Sequence, residues 1–439
     1  MRRVVSLLVA FACVVTAAGP VWAQQRLFVL ASKELVEVDP SAAGLGRIIR
    51  RVPTPFVLPD GTGPIPVAGG TKLVWTAGDG VGVYDTRSND FRWQALPGVA
   101  GQLVGASADG FTLMFWGARP DAPLTFHGQL SALNVRDGSV RTVDLGTNVT
   151  NVVYAPVGDL LFVEKSFEPP ASYVEVKRAG DGSLVRTIPL ESRELFSLSV
   201  DSGGSRLFAY ATDGVFVYDV ASGALLARTP GDDGVYAVRM TVDEHRRRLL
   251  VSAGIERQSF LMALADDTLQ PLGSVPLASM APYASGVLLD VSPVSATLFA
   301  LQTSFVPTRT GPDDCRSSAL IAMDVDTGRV RRVADLSTVT GTVDCQVSMV
   351  RLTEPKAPAG LAAQVAGNRA ELVWTPVMAT SYELEAGTAP GLSNIGRFTM
   401  TENRLTVDGV PPGTYYVRVR GVNVLGKGSA SQDVRVVVP

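Results

Sequence analysis

Gly204–Arg228 reads GSRLFAYATDGVFVYDVASGALLAR, and the fold turns on it. An alternating run, Arg206–Ala211, meets a Thr-Asp-Gly turn. A second run, Val215–Tyr218, leads through Asp-Val-Ala-Ser-Gly into a third, Ala224–Arg228. Period-two alternation marks strands, and Asp-Gly and Ser-Gly supply the tight turns between them. Three such strands are most of one antiparallel sheet. A sheet this small cannot bury its face alone, so a repeated one must stack against copies of itself.

The phrase does repeat. Its second hairpin recurs as Leu35–Asp39 (LVEVD), Val81–Asp85 (VGVYD), Leu130–Asn134 (LSALN), Tyr173–Lys177 (YVEVK), Val215–Asp219 (VFVYD), Leu261–Ala265 (LMALA) and Leu320–Asp324 (LIAMD). Related turn-and-strand phrases precede five of these: SADGFTLMFW (107–116), APVGDLLFVE (155–164), VDSGGSRLFAY (200–210), VDEHRRRLLVS (242–252) and SPVSATLFAL (292–301). Together they resemble the YVTN and WD-repeat-like seven-bladed β-propellers over residues 26–352, without a strict Trp-Asp or Tyr-Val-Thr-Asn signature. The resemblance implies a ring closed by its ends. Arg26–Ala31 is a second-type strand with no innermost strand before it, and Gln346–Leu352, after the seventh hairpin, is expected to complete the first blade.

Thr353–Ala359 (TEPKAPA) has the proline-rich character of a linker. From Gly360 the spacing changes to short strands marked by Leu361, Trp374, Tyr382, Leu384, Leu405, Val407, Tyr415, Val417 and Val419. The phrases AELVWTP (370–376), SYELEAGTAPG (381–391) and GVPPGTYYVRVRGVNVLGKGSAS (409–431) closely resemble a fibronectin type III domain. That resemblance implies that Trp374 is a core tryptophan and that Tyr415 is a corner tyrosine bonding back to the chain, and the module is expected to serve as a spacer or contact domain. The expected fold is therefore all-β, a seven-bladed β-propeller over 24–352 plus a fibronectin type III β-sandwich over 360–439.

Residues 1–23 read as a secretory signal: Arg2 and Arg3, the apolar run Val4–Ala18, and Val21-Trp22-Ala23 before the cleavage point. Cleavage near Ala23 gives a periplasmic or secreted protein beginning at Gln24. A lipoprotein reading through Cys13 is the rival, and Ala10-Phe11-Ala12 matches its box poorly. No later segment reads as membrane-spanning, since the uncharged run Gln270–Leu289 is broken by Pro271, Pro276 and Pro282. A net charge of −3 offers no field for phosphate backbones, so nucleic-acid partners are set aside. Cys315 and Cys345 remain after cleavage, and an even pair in an exported chain points to one disulfide. In the propeller register both lie in loops of one face, where a bridge would pin the closure seam.

Residues that carry chemistry are scarce. His127 and His245 are the only histidines; His245 lies in the polar turn DEHRRR, and His127, in GARPDAPLTFHGQ, has no second histidine or cysteine beside it for a metal site. No Gly-x-Ser-x-Gly occurs in residues 24–439. Asp39, Asp85, Asp219 and Asp324 sit at repeat turns, where Asp is a turn residue, without the dense acidic spacing of a calcium loop. No metal or cofactor is expected. The longer connections, Pro53–Pro66, Gly117–Gln129, Ser166–Ser172, Gly254–Ser259 and Phe305–Ser318, are expected on the same face as the disulfide. They bring Phe56, Arg119, Phe126, His127, Phe167, Glu168, Arg257, Phe305 and Arg309 to a candidate surface for a protein or glycan. The leading reading is thus a non-catalytic binding or scaffold protein. The alternative is a propeller enzyme acting in its central funnel, a lyase or lactonase-like hydrolase, against which the scarcity of histidine counts.

Overall fold

The computed structural model describes residues 25–31, 34–41, 47–54, 64–77, 80–96, 101–122, 125–165, 172–191, 195–211, 213–229, 235–255, 258–276, 289–291, 297–306, 314–324, 327, 329–336 and 347–439. Every helix or strand among them is a strand. Up to Leu352 these strands form four-stranded antiparallel sheets, seven among the described residues. In order from first to fourth strand, sheet one is Val347–Leu352, Arg26–Ala31, Glu34–Val38 and Ile48–Pro53, and sheet two is Ile65–Val67, Lys72–Ala77, Gly80–Asp85 and Phe91–Ala95. Sheet three is Gln102–Ala106, Thr112–Ala122, Thr125–Asn134 and Val140–Thr147, and sheet four is Val149–Ala155, Leu160–Lys165, Tyr173–Arg178 and Leu184–Pro189. Sheet five is Leu195–Val200, Arg206–Ala211, Gly214–Asp219 and Leu225–Arg228. Sheet six is Val235–Asp243, Arg248–Ile255, Gln258–Ala265 and Pro271–Pro276, and sheet seven is Leu289–Val291, Thr297–Val306, Asp314–Asp324 and Val330–Leu336.

The first strand of each sheet touches the first strand of the next, and the series returns from sheet seven to sheet one. This is an all-β fold of propeller type. Side chains explain the stacking. Leu207, Ala209, Phe216 and Tyr218 of sheet five share one cluster with Phe162, Val174, Val176 and Ile188 of sheet four. Phe208, Tyr210, Val215 and Val217 share another with Leu249, Val251 and Leu264 of sheet six. Successive residues of a strand point to opposite faces, so both faces of the sheet are covered. That is why Leu207–Ala211 is apolar at every position and fully buried, where strict alternation would have sufficed for a one-sided sheet. Each fully buried Leu or Phe contributes roughly 1.5–3 kcal/mol against exposure. Outer strands see water on one side, and Leu225–Arg228 alternates between exposed and half-buried.

A backbone staple recurs at one end of the sheets. The amides of Thr86, Val135, Ala179, Val220 and Asp266, each one residue past the third strand, donate to the carbonyls of Thr71, Phe111, Asp159, Ser205 and Arg247 in the turn between the first two strands. Sheet one joins the two ends of the ring, its ladder running from Arg26↔Leu352 to Ala31↔Val347. Arg26 secures this sheet to the next: Nε lies 2.7 Å from Glu37 Oε1, and Nη1 donates to the Thr86 carbonyl at 2.9 Å.

Beyond Leu352, Ala362–Ala366, Arg369–Val373 and Arg404–Val407 form a three-stranded sheet. A second sheet is built on Ser381–Gly387 and Gly413–Asn423, with Gly396–Met400, Gly426–Ala430 and Val434–Val438. Trp374, Tyr382, Leu384, Val417, Val419 and Val436 pack between the two sheets. Tyr415 Oη donates to the Pro411 carbonyl at 2.8 Å. The proline-rich segment packs here too: Pro355 and Pro358 are buried, and a Cβ on Gly421 would lie 2.8 Å from the Pro355 Cβ.

Candidate functional site

In an up-and-down sheet, connections between first and second and between third and fourth strands leave at one end. Those between second and third strands, and from one sheet to the next, leave at the other. We call these ends the turn face and the arm face. The C-terminal sheets lie against the turn face: the Val424 amide donates to the Gly69 carbonyl at 3.3 Å, and a Cβ on Gly110 would stand 3.2 Å from Met378 Sδ.

On the arm face, two connections expected as loops are extensions of the ladder. Gly117–Gln129 continues the second and third strands of sheet three, pairing Gly117↔Gln129 through Ala122↔Thr125 with a register shift at Thr125/Phe126. Within Phe305–Ser318 the described residues do the same in sheet seven, where pairing runs out to Val306↔Asp314. In Gly254–Ser259 the described residues also continue the ladder, with Gly254↔Ser259 and Ile255↔Gln258 paired. Backbone pairing satisfies the amides of an arm without burial, so these segments extend past the body of the sheet although their composition reads as connector.

Of the candidate residues, Arg119 and His127 are cross-strand partners, and Phe126 is opposite Pro120 on the same arm. Phe305 is opposite Cys315 on the arm of sheet seven. Phe56, Phe167, Glu168, Arg257 and Arg309 lie outside the described residues, as does Cys345 and with it the proposed disulfide partner of Cys315.

The base of the sheet-three arm carries charge. His127 Nε2 stands 2.7 Å from Asp144 Oδ1 on the neighbouring outer strand. The Gly146 amide, donating to Asp144 at 2.7 Å, holds that carboxyl below the usual range, and His127 adds to the effect. In the junction with sheet four, Lys165 Nζ donates to the carbonyls of Leu145 and Thr147, both at 2.7 Å. Glu175 lies 3.8 Å from Lys165 and 3.0 Å from Lys177. On the other side of the same strand Glu164 is buried, and desolvation pushes its carboxyl up to about 7. None of these groups was singled out from sequence except His127; the break in the apolar phrase at Glu164-Lys165 was their one visible signal.

The repeat-turn carboxylates are engaged locally. Asp85 Oδ1 accepts from the Arg87 and Ser88 amides, Asp219 from Ser222, Asp324 from Thr327 and Asp39 from Ser41. The amide of Ser88 above all keeps Asp85 ionised to lower pH than an ordinary carboxylate. Among the described residues no group of three His, Cys, Asp or Glu side chains converges to hold a metal ion. A cleft of about 250 Å³ on the turn face, between sheets five and six, is lined by Asp201, Ser202, Glu244, Arg206, Arg247 and Asp266 among others. Its polar groups are paired: Arg206 Nη1 to Asp266 Oδ2 at 2.8 Å and Ser202 Oγ to Glu244 Oε2 at 2.8 Å cross the junction, and Arg247 Nε to Asp266 Oδ1 at 3.2 Å lies within sheet six. No helix among the described residues is long and apolar enough to cross a membrane.

No family model matches the chain, and no curated protein matches it. Among solved structures it is similar to a dihydro-heme d1 dehydrogenase NirN in complex with DHE, at 16% identity and TM-score 0.43, covering 72% of this chain and 73% of that one. It is also similar to Kuenenia stuttgartiensis hydrazine synthase, at 14% identity and TM-score 0.43, covering 66% and 98%. A chain of a mitotic checkpoint complex matches at 12% identity and TM-score 0.41, covering 62% and 79%. At these values no activity carries over.

Proposed function

We propose that this chain is an exported, non-catalytic recognition protein: a seven-bladed β-propeller over 24–352 closed by its own C-terminal strand, followed by a fibronectin type III module over 360–439. Residues 1–23 serve as its cleaved leader. The observation that carries the reading is the pair of strand-paired arms, Thr112–Ala122 with Thr125–Asn134 and Thr297–Val306 with Asp314–Asp324, which extend from the end of the ring opposite the C-terminal sheets. Arms of paired backbone present side chains to a large ligand without the ordering cost of free loops. The sheet-three arm offers Arg119, Phe126 and His127, a mixture of aromatic and charged groups that suits a protein or glycan. The buried Trp374 and the Tyr415–Pro411 hydrogen bond support the fibronectin assignment.

The test is binding of the chain from Gln24 to envelope glycans and envelope proteins, beside a version whose sheet-three arm is cut back by joining Gly117 to Gln129 through a two-residue Asn-Gly turn. Binding by the first and its loss in the second, with unchanged melting, is the expected result. Equal binding by both overturns the arm-face reading.

A further inference from the structure

The closing strand of the ring is unlike the other six innermost strands. The chain enters each of those six sheets through the first strand and passes by a short connection into the second. Val347–Leu352 has no such connection, because its partner Arg26–Ala31 lies more than three hundred residues earlier in the chain. At the turn face, sheet one therefore lacks the turn whose carbonyl receives the recurring staple. The sequence agrees with this. The Asp39 amide bonds to the Arg47 carbonyl just before the fourth strand, as the amides of Asp85, Asn134, Arg178, Asp219 and Ala265 bond to the residue before theirs, and where Thr86, Val135, Ala179, Val220 and Asp266 follow in sheets two to six, Pro40 follows Asp39 in sheet one. Proline has no amide to donate.

We infer that the segment Asn423–Leu425 of the C-terminal sheets takes the place of the missing turn, so that the C-terminal unit is the latch of the ring and not a spacer hung from it. This inference rests on the closed-ring part of the proposal above and is independent of any ligand. Three sets of contacts carry it. Leu425 is buried in one cluster with Phe28, Leu30 and Leu35 of sheet one, Leu73, Trp75 and Tyr84 of sheet two, and Leu352 at the end of the closing strand. Asn423 Nδ2 donates to the Thr353 carbonyl at 2.7 Å, one residue past that strand. The neighbouring Val424 amide donates to the Gly69 carbonyl at 3.3 Å, which ties the same loop to the turn of sheet two. The approach there leaves no space, since a Cβ on Gly69 would fall 2.7 Å from the Thr380 amide nitrogen and 2.9 Å from the Ala379 carbonyl carbon. Both are backbone atoms, so the C-terminal unit would have to move. One loop thus grips sheet one, at the end of its closing strand, together with sheet two.

Gly69 and Gly138 give a matched pair for the test. Both are ring residues in turns with left-handed φ, +62° and +74°, so alanine carries a similar backbone penalty at each. A Cβ on Gly138, however, meets nothing within 4 Å. Amide hydrogen exchange is measured on the chain from Gln24 for Gly69→Ala, Gly138→Ala and the parent, following peptides that cover 347–352 and 26–31. The latch predicts at least tenfold faster exchange of both strands in Gly69→Ala and parent-like exchange in Gly138→Ala. If Gly69→Ala does not fold, Val424→Ala, which leaves every ring residue unchanged and removes only the loop's own packing on the ring, is held to the same criterion. Protection of both strands in the parent with equal exchange in every variant overturns the latch and leaves the closed ring intact. Unprotected strands in the parent itself would instead remove the closure on which the latch depends.

Discussion

Glu164 is the next-to-last residue of the second strand of sheet four and shares a face with Phe162, whose cluster joins sheets four and five. Its carboxyl is buried, and loss of solvation raises it to about 7 from an ordinary value of 4.5, with a hydrogen bond from Thr150 pulling the other way. A raised acid is neutral in the fold while the unfolded chain already ionises. Between about pH 4.5 and 7 the unfolded state therefore binds fewer protons, and stability falls as pH rises across that window. Replacing Glu164 by Gln removes this dependence. Denaturant titration is expected to find Glu164→Gln more stable than the parent by about 1–3 kcal/mol at pH 8, with the gain vanishing at pH 4. A gain that persists at pH 4, or none at pH 8, contradicts the desolvation account. The sequence displayed Glu164 only as a polar end to an apolar run. What its environment does to it depends on its burial and on Thr150 of the neighbouring strand, and neither leaves a mark in the local pattern.

At the scale of a strand pair, sheets two and five solve one packing problem in opposite ways. Trp75 lies opposite Gly82 in sheet two, and Ala209 lies opposite Phe216 at the matching register of sheet five. A Cβ on Gly82 would sit 2.5 Å from the Trp75 indole, which itself stacks on Phe91 at 5.4 Å. Gly82→Phe is thus expected to destabilise by roughly 1–3 kcal/mol through overpacking, and adding Trp75→Ala should recover at least half of the loss. A thermal melt of the parent and these two variants reads this directly, and no recovery in the double variant would show that the two sheets are not equivalent in register. The swap also explains what could be read beforehand. VFVYD and VGVYD were recognisable as copies because turn and strand residues repeat, while the size exchange across the ladder is invisible in either strand alone. Arms were missed for a related reason. GARPDAPLTFHGQ has the proline and glycine of a connector, and only the partner strand reveals that Gly117–Ala122 and Thr125–Gln129 are paired.

For the whole molecule, the repeat, the change of period after Gly360 and the return of a last strand to the first sheet were legible, since each leaves a periodic or punctuating mark in the chain. The docking of the C-terminal sheets on the turn face was not. It depends on Gly69, Gly110, Met378 and Asn423–Leu425 meeting across the fold, a match of shapes between segments hundreds of residues apart. Its consequence is directional: one end of the ring is engaged by the chain itself, which leaves the arm face for the recognition proposed above.

Closure of the ring by its C-terminal strand is the claim on which arms, faces and latch all depend, and register tests it most directly. Val29 and Met349 are cross-strand partners in the closing ladder, whereas Ser348 is one residue out of register and its side chain belongs to the other face of the strand. The measurement is oxidative cross-linking of the chain from Gln24 carrying Cys315→Ser and Cys345→Ser, with cysteines placed either at 29 and 349 or at 29 and 348, followed by mass spectrometry of the linked peptides. Closure predicts near-complete linkage for the first pair and little for the second. Linkage of neither pair, or of both equally, would contradict the closed ring.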